Sequence, residues 1–321
     1  MTRGRDERGW AQVIARGSIP YLTLDVFTDR AFAGNPLAVI PDARGLTSGQ
    51  MQAIAAEFNY SESTFVLPPA DPAHTAQVRI FNRTTEMPFA GHPNVGTAFA
   101  LALLADREGT PLPSPLVFEE LAGLVPVELT RDAAGRVSSA TLTAPQPLTL
   151  GDKVSADVVA ACASITPSAV ITERHEPIWA SVGLEFVIAE VTPEALTRAK
   201  PDTGAFAEAA ARYDTPRRFP LHLYARLPAA PGEPDIRARM FSPLSGTVED
   251  PATGSANSTL VALLAMLSPL PDLTLHLDIL QGAEMGRPSR LAVSAEKHGG
   301  AVTRVRAGGR CALVMEGTLT P

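Results

Sequence analysis

The sequence predicts an α+β protein with two similar halves, each made of antiparallel or mixed strands around one central helix. The chain has 321 residues, enough for about two domains at roughly 100–200 residues each. Its 24 glycines and 29 prolines are not in low-complexity runs, which indicates many short elements joined by defined turns. Each half also contains one helical segment that is apolar on nearly all faces and must therefore be buried on all sides. Strands occur in runs instead of alternating with helices, so a Rossmann arrangement is excluded.

Short strands dominate the first half. Residues 21–27 alternate in polarity and are rich in β-forming side chains. The apolar run 37–40 follows a Gly-Asn-Pro turn. Further strands are predicted at 63–67, 77–81, 116–118, 125–129 and 138–142.

Two helices are predicted among these strands. Thr47 and Gln50 fit a capping box, and apolar side chains then recur every three or four residues as far as Asn59, which is expected to end the helix. Residues 93–105 are almost all apolar and begin with Pro93, a favourable residue at a first helical position. This segment is the predicted central helix of the first half.

The second half repeats the layout after a Pro-containing linker at 144–147. Its predicted elements are a short helix over 154–163, strands near 184–189, 221–226 and 237–241, an apolar helix over 254–267, and strands separated by glycine turns up to Leu319. We therefore predict an N-terminal domain over 21–147 and a C-terminal domain over 148–309. The last strand, about 310–321, is expected to pack against the N-terminal domain, and residues 1–20 to form a disordered N-terminal extension.

Composition excludes several classes of protein. The 27 Lys and Arg against 34 Asp and Glu give a net charge of −7, whereas a nucleic-acid-binding protein normally has a basic stripe. No apolar run reaches the ~18 residues needed to cross a membrane, and the first twenty residues lack the features of a secretory signal. Two cysteines cannot form a disulfide framework. We therefore expect a cytoplasmic protein that binds neither nucleic acid nor membranes, and its histidines have no metal-ligand spacing.

Three short segments combine small residues with one acid or histidine. In Asn59-Tyr60-Ser61-Glu62, the acid enters an apolar strand, where burial would raise its pKa toward that of a general base. The alternative is a surface glutamate at a strand edge.

The other two segments each precede an apolar helix. Gly91-His92-Pro93 and Asp250 to Ser255 would expose backbone N–H groups at a helix N-terminus, which suits a carboxylate. His92 beside such a terminus could relay protons. The alternatives are that His92 and Asp250 only cap ordinary helices. Because each half has one such turn before an apolar helix, we expect the two turns to close on one anionic substrate.

These segments, in this order, resemble the PhzF family of phenazine-biosynthesis isomerase-like proteins, which is related by fold to diaminopimelate epimerase and proline racemase. The matching segments are 25–28 with 34–39, 59–62, 79–81 with 86–93, 249–256, and 281–282 with 286–289. The resemblance implies two barrel domains with the site in the cleft between them, a cofactor-free proton transfer without metal, and a homodimer.

The resemblance also implies roles for individual residues. Glu62 would be the proton-shuttling base, while Gly91, His92, Asp250, Gly254 and Ser255 would hold and polarise the substrate carboxylate. The chain departs from the family pattern at Ser63, where threonine is usual, and at Asn82-Arg83, where Thr-Pro is usual. The second departure affects the shape and charge of the cleft.

The positions of the cysteines distinguish between two related mechanisms. The epimerase and racemase relatives use two cysteines as bases on opposite faces of Cα, whereas the corresponding turns here contain Ala90 and Ala252-Thr253. A single carboxylate suits a proton shift on one face of the substrate. We therefore predict a cofactor-independent isomerase acting on a small carboxylate. Two alternatives are an epimerase or racemase with non-thiol bases, and a non-catalytic ligand-binding or partner-binding protein of the same fold.

Overall fold

The computed structural model describes residues 18–213 and 219–320. The helices are α1 (Ser48–Phe58), α2 (Gly91–Arg107), α3 (Ala156–Ala163), α4 (Pro193–Arg198), α5 (Thr203–Arg212) and α6 (Gly254–Leu267), with short 3₁₀ turns at Pro167–Ala169, Pro243–Ser245 and Ala283–Met285. The strands are β1 (Ile19–Val26), β2 (Asn35–Ile40), β3 (Glu62–Leu67), β4 (Ala76–Asn82), β5 (Glu86–Met87), β6 (Leu116–Glu120), β7 (Gly123–Arg131), β8 (Val137–Thr143), β9 (Thr149–Lys153), β10 (Val170–Ile171), β11 (Ile178–Ser181), β12 (Glu185–Val191), β13 (Leu221–Arg226), β14 (Ile236–Ser242), β15 (Thr247–Asp250), β16 (Leu273–Gln281), β17 (Ser289–His298) and β18 (Ala301–Leu319).

The first half forms a closed barrel of mixed strands around α2. Its ring runs β1–β2–β3–β4–β6–β7–β8 and returns to β1 through β18. The β2–β3 and β4–β6 pairs are parallel and the others antiparallel. The chain passes through α1 between the first parallel pair and through α2 between the second. The predicted α+β class with strands around a central helix is thereby confirmed.

The second half repeats this plan around α6. Strands β9, β11, β12, β13, β14, β16, β17 and β18 are paired in that order. The parallel pair β14–β16 is connected through α6, as β4–β6 is through α2. Both central helices are buried over most of their length, which explains why their sequences are apolar without a polar face.

Strand β18 belongs to both halves. Its first part pairs with β17, residues 306–310 pair with β8, and residues 311–319 pair with β1. The division at residues 147 and 309 stays a proposal, with β18 as the element that crosses it.

Several local predictions agree with the structure. Thr47 and Gln50 form the capping box of α1, and Asn59 ends this helix in the left-handed conformation. Helix α6 has the predicted bounds. Helix α2 starts earlier than predicted, at Gly91, so Pro93 is its third residue and not its first.

Some segments differ from the prediction or were not predicted. Helices α4 and α5 were not predicted, although Thr192 and Asp202 cap them through their side chains. Residues 1–17 of the predicted extension lie outside the described residues, and β1 begins at Ile19, inside the segment predicted to be disordered.

Candidate active site

The N-termini of the two central helices meet at one cavity. A Cβ added to Gly91 would lie 3.4 Å from the backbone nitrogen of Ser255, and one added to Gly254 would lie 3.8 Å from Cα of Gly91. No side chain caps either helix. Both helices therefore direct the positive ends of their dipoles and their first backbone amides at the same place, which favours an anion.

The cavity at this junction has a volume of about 440 Å³ and is lined by residues of both halves. The predicted site residues are all in its lining: Glu62, Gly91, His92, Asp250, Gly254 and Ser255. A cavity of about 510 Å³ elsewhere has none of them in its described lining. The structure thus brings together all six residues that the sequence singled out.

Asp250 is held at the end of β15 by side chains from both halves. Asn35 Nδ2 donates to Asp250 Oδ1 at 2.8 Å and to the carbonyl of Ala252 at 2.9 Å. The hydroxyl of Thr253 donates to Asp250 Oδ2 at 2.6 Å. Gln281 Nε2 donates to the backbone carbonyl of Asp250 at 2.8 Å. Asp250 therefore does not cap α6, and that alternative is wrong.

Asn35 owes its position to a tight turn. Gly34 precedes it with a φ of 64°, and a Cβ at Gly34 would lie 2.3 Å from the carbonyl oxygen of Val26, so only glycine fits. Arg287 donates to the carbonyl of Gly34 at 2.8 Å and pairs with Asp25. The turn is thereby fixed to the second half of the chain.

Glu62 and His92 lie side by side. Glu62 begins β3, and its Oε2 is 3.6 Å from His92 Nδ1. His92 Nδ1 is also 3.4 Å from Asn35 Nδ2. The side chains of Glu62 and His92 are 19% and 6% exposed, so neither the surface-glutamate nor the helix-cap alternative holds.

Burial shifts the pKa values of all three titratable groups. Burial and the neighbouring charge of Asp250 raise the pKa of Glu62 to about 8. Burial likewise raises the pKa of Asp250 to about 6, although hydrogen bonds from Thr253 and Asn35 oppose this shift. Burial lowers the pKa of His92 to about 3. At neutral pH the site therefore contains a neutral imidazole and a glutamic acid that is an unusually strong base when ionised.

The raised pKa of Glu62 predicts a pH-dependent stability. Between its ordinary pKa of 4.5 and about 8, the folded protein keeps a proton that the unfolded chain releases. Stability should therefore fall with rising pH in this window, on the order of 1 kcal/mol per pH unit. Glu62→Gln removes this dependence, so the variant should become progressively more stable than the wild type from pH 5 to pH 8. Urea unfolding at several pH values measures the difference.

The control for this prediction is Glu57→Gln, which changes an exposed glutamate on α1 outside the cavity. Its stability should follow that of the wild type across the range. Parallel stability curves for the wild type and Glu62→Gln would contradict the prediction.

Sequence reasoning missed the residues that connect the predicted groups. Asn35 and Gln281 both lie in segments that carried the family resemblance, but neither was given a role. The signal that could have identified Asn35 is its position after a glycine that must adopt positive φ. The partner of its amide, Asp250, lies more than two hundred positions later, and the two residues meet only in the folded chain.

The two thiols lie outside the cavity lining. Cys162 and Cys311 are buried and unpaired, and burial raises the pKa of both. Ala90, Ala252 and Thr253 line the cavity at the turns before the two central helices. In the part of the chain that is described, no cluster of three or more His, Cys, Asp or Glu could hold a metal ion, and no helix is long and apolar enough to span a membrane.

Comparison with known proteins identifies the family. The family model described as "Phenazine biosynthesis-like protein" matches residues 24–317, which is most of the chain. The chain belongs to this family. The resemblance stated from the sequence motifs is thereby confirmed.

Curated members of the family include close relatives of the chain. An uncharacterized isomerase of Mesorhizobium japonicum is 38% identical over 93% of the chain and 98% of that protein. The trans-2,3-dihydro-3-hydroxyanthranilate isomerase of Pseudomonas aeruginosa is 37% identical over 92% of the chain and 98% of that protein. The chain is accordingly an isomerase.

A solved structure of the family has the same fold. The PhzF-family phenazine biosynthesis protein of Bacillus anthracis superimposes with a TM-score of 0.81 and 24% identity, over 94% of the chain and 99% of that protein. This agreement supports the predicted arrangement of strands around two central helices.

Proposed function

We propose that this family member catalyses a cofactor-independent proton shift on a small unsaturated carboxylate in the cavity between the two central helices. The observation that carries the proposal is that two uncapped helix N-termini meet beside a buried glutamate with a raised pKa. The helix termini attract an anion and the glutamate exchanges protons, so the site combines binding and chemistry.

Glu62 is the proposed base and acid. Its carboxylate takes the proton of one C–H bond, and the electron pair of that bond moves into the adjacent unsaturated system. The glutamic acid then returns the proton to a different carbon on the same face, forming the new C–H bond. No thiol lies in the described lining on either side of such a substrate, and the one-face shift requires none.

The helix termini and the polar side chains have separate proposed roles. Backbone amides of Gly91, Gly254 and Ser255 bind the substrate carboxylate and stabilise negative charge that develops during the shift. His92 is neutral at physiological pH, and its Nδ1 lies 3.6 Å from Oε2 of Glu62, where the imidazole tunes the orientation and basicity of that carboxyl group. Asp250 is oriented by Asn35 and Thr253 and tunes the basicity of Glu62.

The test uses the compound named for the Pseudomonas aeruginosa relative. The purified protein is incubated in D₂O with trans-2,3-dihydro-3-hydroxyanthranilate, and products are followed by NMR and mass spectrometry. We expect a product with a moved double bond and less than one deuterium per turnover, because Glu62 returns part of the substrate's own hydrogen. An unchanged substrate would contradict this substrate assignment.

The same measurement separates the two alternatives. An epimerase with oxygen bases would introduce deuterium at a stereocentre and invert it without moving a double bond. A non-catalytic binding protein would bind the acid, detected as a thermal shift, without any exchange. Either result would replace the proposed proton shift.

We also propose that the protein is a cytoplasmic homodimer. The family resemblance supports the dimer, and the small number of cysteines supports a reducing compartment. Light scattering on the purified protein measures the oligomeric state.

A further inference from the structure

Arg83 places a positive charge in the cavity where the sequence departs from the family pattern. It lies in the turn between β4 and β5, at the Asn82-Arg83 position where the family usually has Thr-Pro. Among the described residues that line the cavity, it is the only arginine or lysine, whereas three carboxyl groups, Glu62, Glu185 and Asp250, line the same space. The charge of Arg83 also acts on Glu62, whose pKa it lowers against the larger effect of burial.

Within the described part of the chain, the hydrogen-bond partners of Arg83 are neutral oxygen atoms. Nη2 donates to the carbonyl of Gly246 at 3.0 Å and to the hydroxyl of Thr247 at 2.9 Å. Nη1 donates to the carbonyl of Asn59 at 3.3 Å. These three bonds use three of the five N–H donors of a guanidinium group.

A carboxylate would be a stronger partner than these neutral acceptors. Hydrogen bonds between arginine and an anionic acceptor are roughly twice as strong as neutral ones, and a guanidinium can bind a carboxylate with two parallel bonds. Acids are already abundant in the lining, so a second negative charge on a ligand would be repelled unless a cation received it.

We propose that Arg83 selects substrates that carry a second acidic group in addition to the carboxylate bound at the helix N-termini. The inference rests on the proposed function, because that function places the first carboxylate at Gly91, Gly254 and Ser255. Small unsaturated acids with two anionic groups are then the preferred substrates, and acids with one carboxylate bind more weakly. Arg83 is the specificity residue for the second one.

A purely structural role predicts different behaviour. Arg83 joins the turn after β4 in the first half to Gly246 and Thr247 in the second, so its loss could simply loosen the two halves. Such loosening would weaken the binding of acids with one and with two carboxylates alike. Recognition of a second anion instead changes the ratio between the two affinities.

The test measures this ratio with simple aromatic acids. Dissociation constants of benzoate and isophthalate are determined by calorimetry at constant ionic strength for the wild type, Arg83→Gln and Arg83→Lys. The control is Arg136→Gln, which removes the same charge from an exposed arginine on the turn before β8, outside the cavity lining. Thermal unfolding verifies that each variant is folded.

In the wild type and the control, isophthalate should bind at least about tenfold more tightly than benzoate, because one charge-assisted hydrogen bond increases affinity by about this factor. In Arg83→Gln the ratio should fall to about threefold or less, while Arg83→Lys should keep part of the preference because it keeps the charge. An equal ratio in the wild type and Arg83→Gln would overturn the inference. So would the absence of measurable isophthalate binding, or a loss in Arg83→Lys as complete as in Arg83→Gln.

The binding ratio does not depend on turnover. A protein that binds isophthalate through Arg83 but isomerises no substrate would leave the specificity inference standing and contradict the proposed function. A protein that turns over a substrate without any preference for isophthalate would support the proposed function and contradict the specificity inference.

Discussion

Replacing Glu62 by glutamine is expected to lower turnover of the proposed substrate by about 10²–10⁴-fold, the usual contribution of a positioned acid or base. Glutamine has nearly the same size and can form hydrogen bonds, but it cannot exchange a proton with carbon. The pKa of Glu62, about 8, lies above that of Asp250, about 6, and Glu62 lies beside His92. Steady-state kinetics measures kcat for the variant and the wild type.

The effect of Glu62→Gln should be confined to kcat and should not occur in a control variant. The Michaelis constant should change much less than kcat, because the proposed function assigns binding of the substrate carboxylate to backbone amides at Gly91, Gly254 and Ser255 and not to Glu62. The control Glu57→Gln should keep wild-type turnover, since Glu57 is exposed on α1. Full activity of Glu62→Gln would show that another group moves the proton.

Replacing Asn35 by leucine is expected to lower both the stability and the activity. The two side chains have the same number and branching of heavy atoms, but leucine removes the donor from Asp250 Oδ1 and from the carbonyl of Ala252, which are buried. Leaving two buried acceptors short of a partner costs about 2–4 kcal/mol. Activity should fall as well, because Asp250 and the turn before α6 lose their tie to the first half of the chain. Urea unfolding and kinetics measure the two effects.

Ser61→Ala is the matched comparison for Asn35→Leu. The hydroxyl of Ser61 donates to Asn35 Oδ1 at 3.2 Å, and this position is only partly buried. Its removal should therefore cost about 0.5–1.5 kcal/mol, the range of one ordinary hydrogen bond. If the Asn35 variant were as stable as the Ser61 variant, the amide would not be the connection that holds Asp250.

Local sequence patterns predicted most of the secondary structure, since the forces involved are local. The capping box at Thr47 and Gln50 and the apolar run of α6 each act within a few residues. Helices α4 and α5 were missed although Thr192 and Asp202 are local capping signals at their starts.

The candidate site was predictable in its parts but not in its connections. Glu62, His92 and Asp250 were identifiable because an acid or a histidine lies among small or apolar residues near one end of an element. Asn35 was not, since an asparagine after glycine is common in turns and its amide meets Asp250 only when both halves are folded. The value of each pKa likewise depends on burial that only the folded chain provides.

The course of β18 has a consequence for synthesis on the ribosome. Strands β1 and β8 are neighbours in the first barrel only through β18, whose residues 306–319 fill the gap between them. A nascent chain that has reached the end of β8 therefore has two open barrel edges and nothing to close them. The first barrel is therefore completed only after residues 306–319 have been synthesised, although its other strands are made before those of the second barrel.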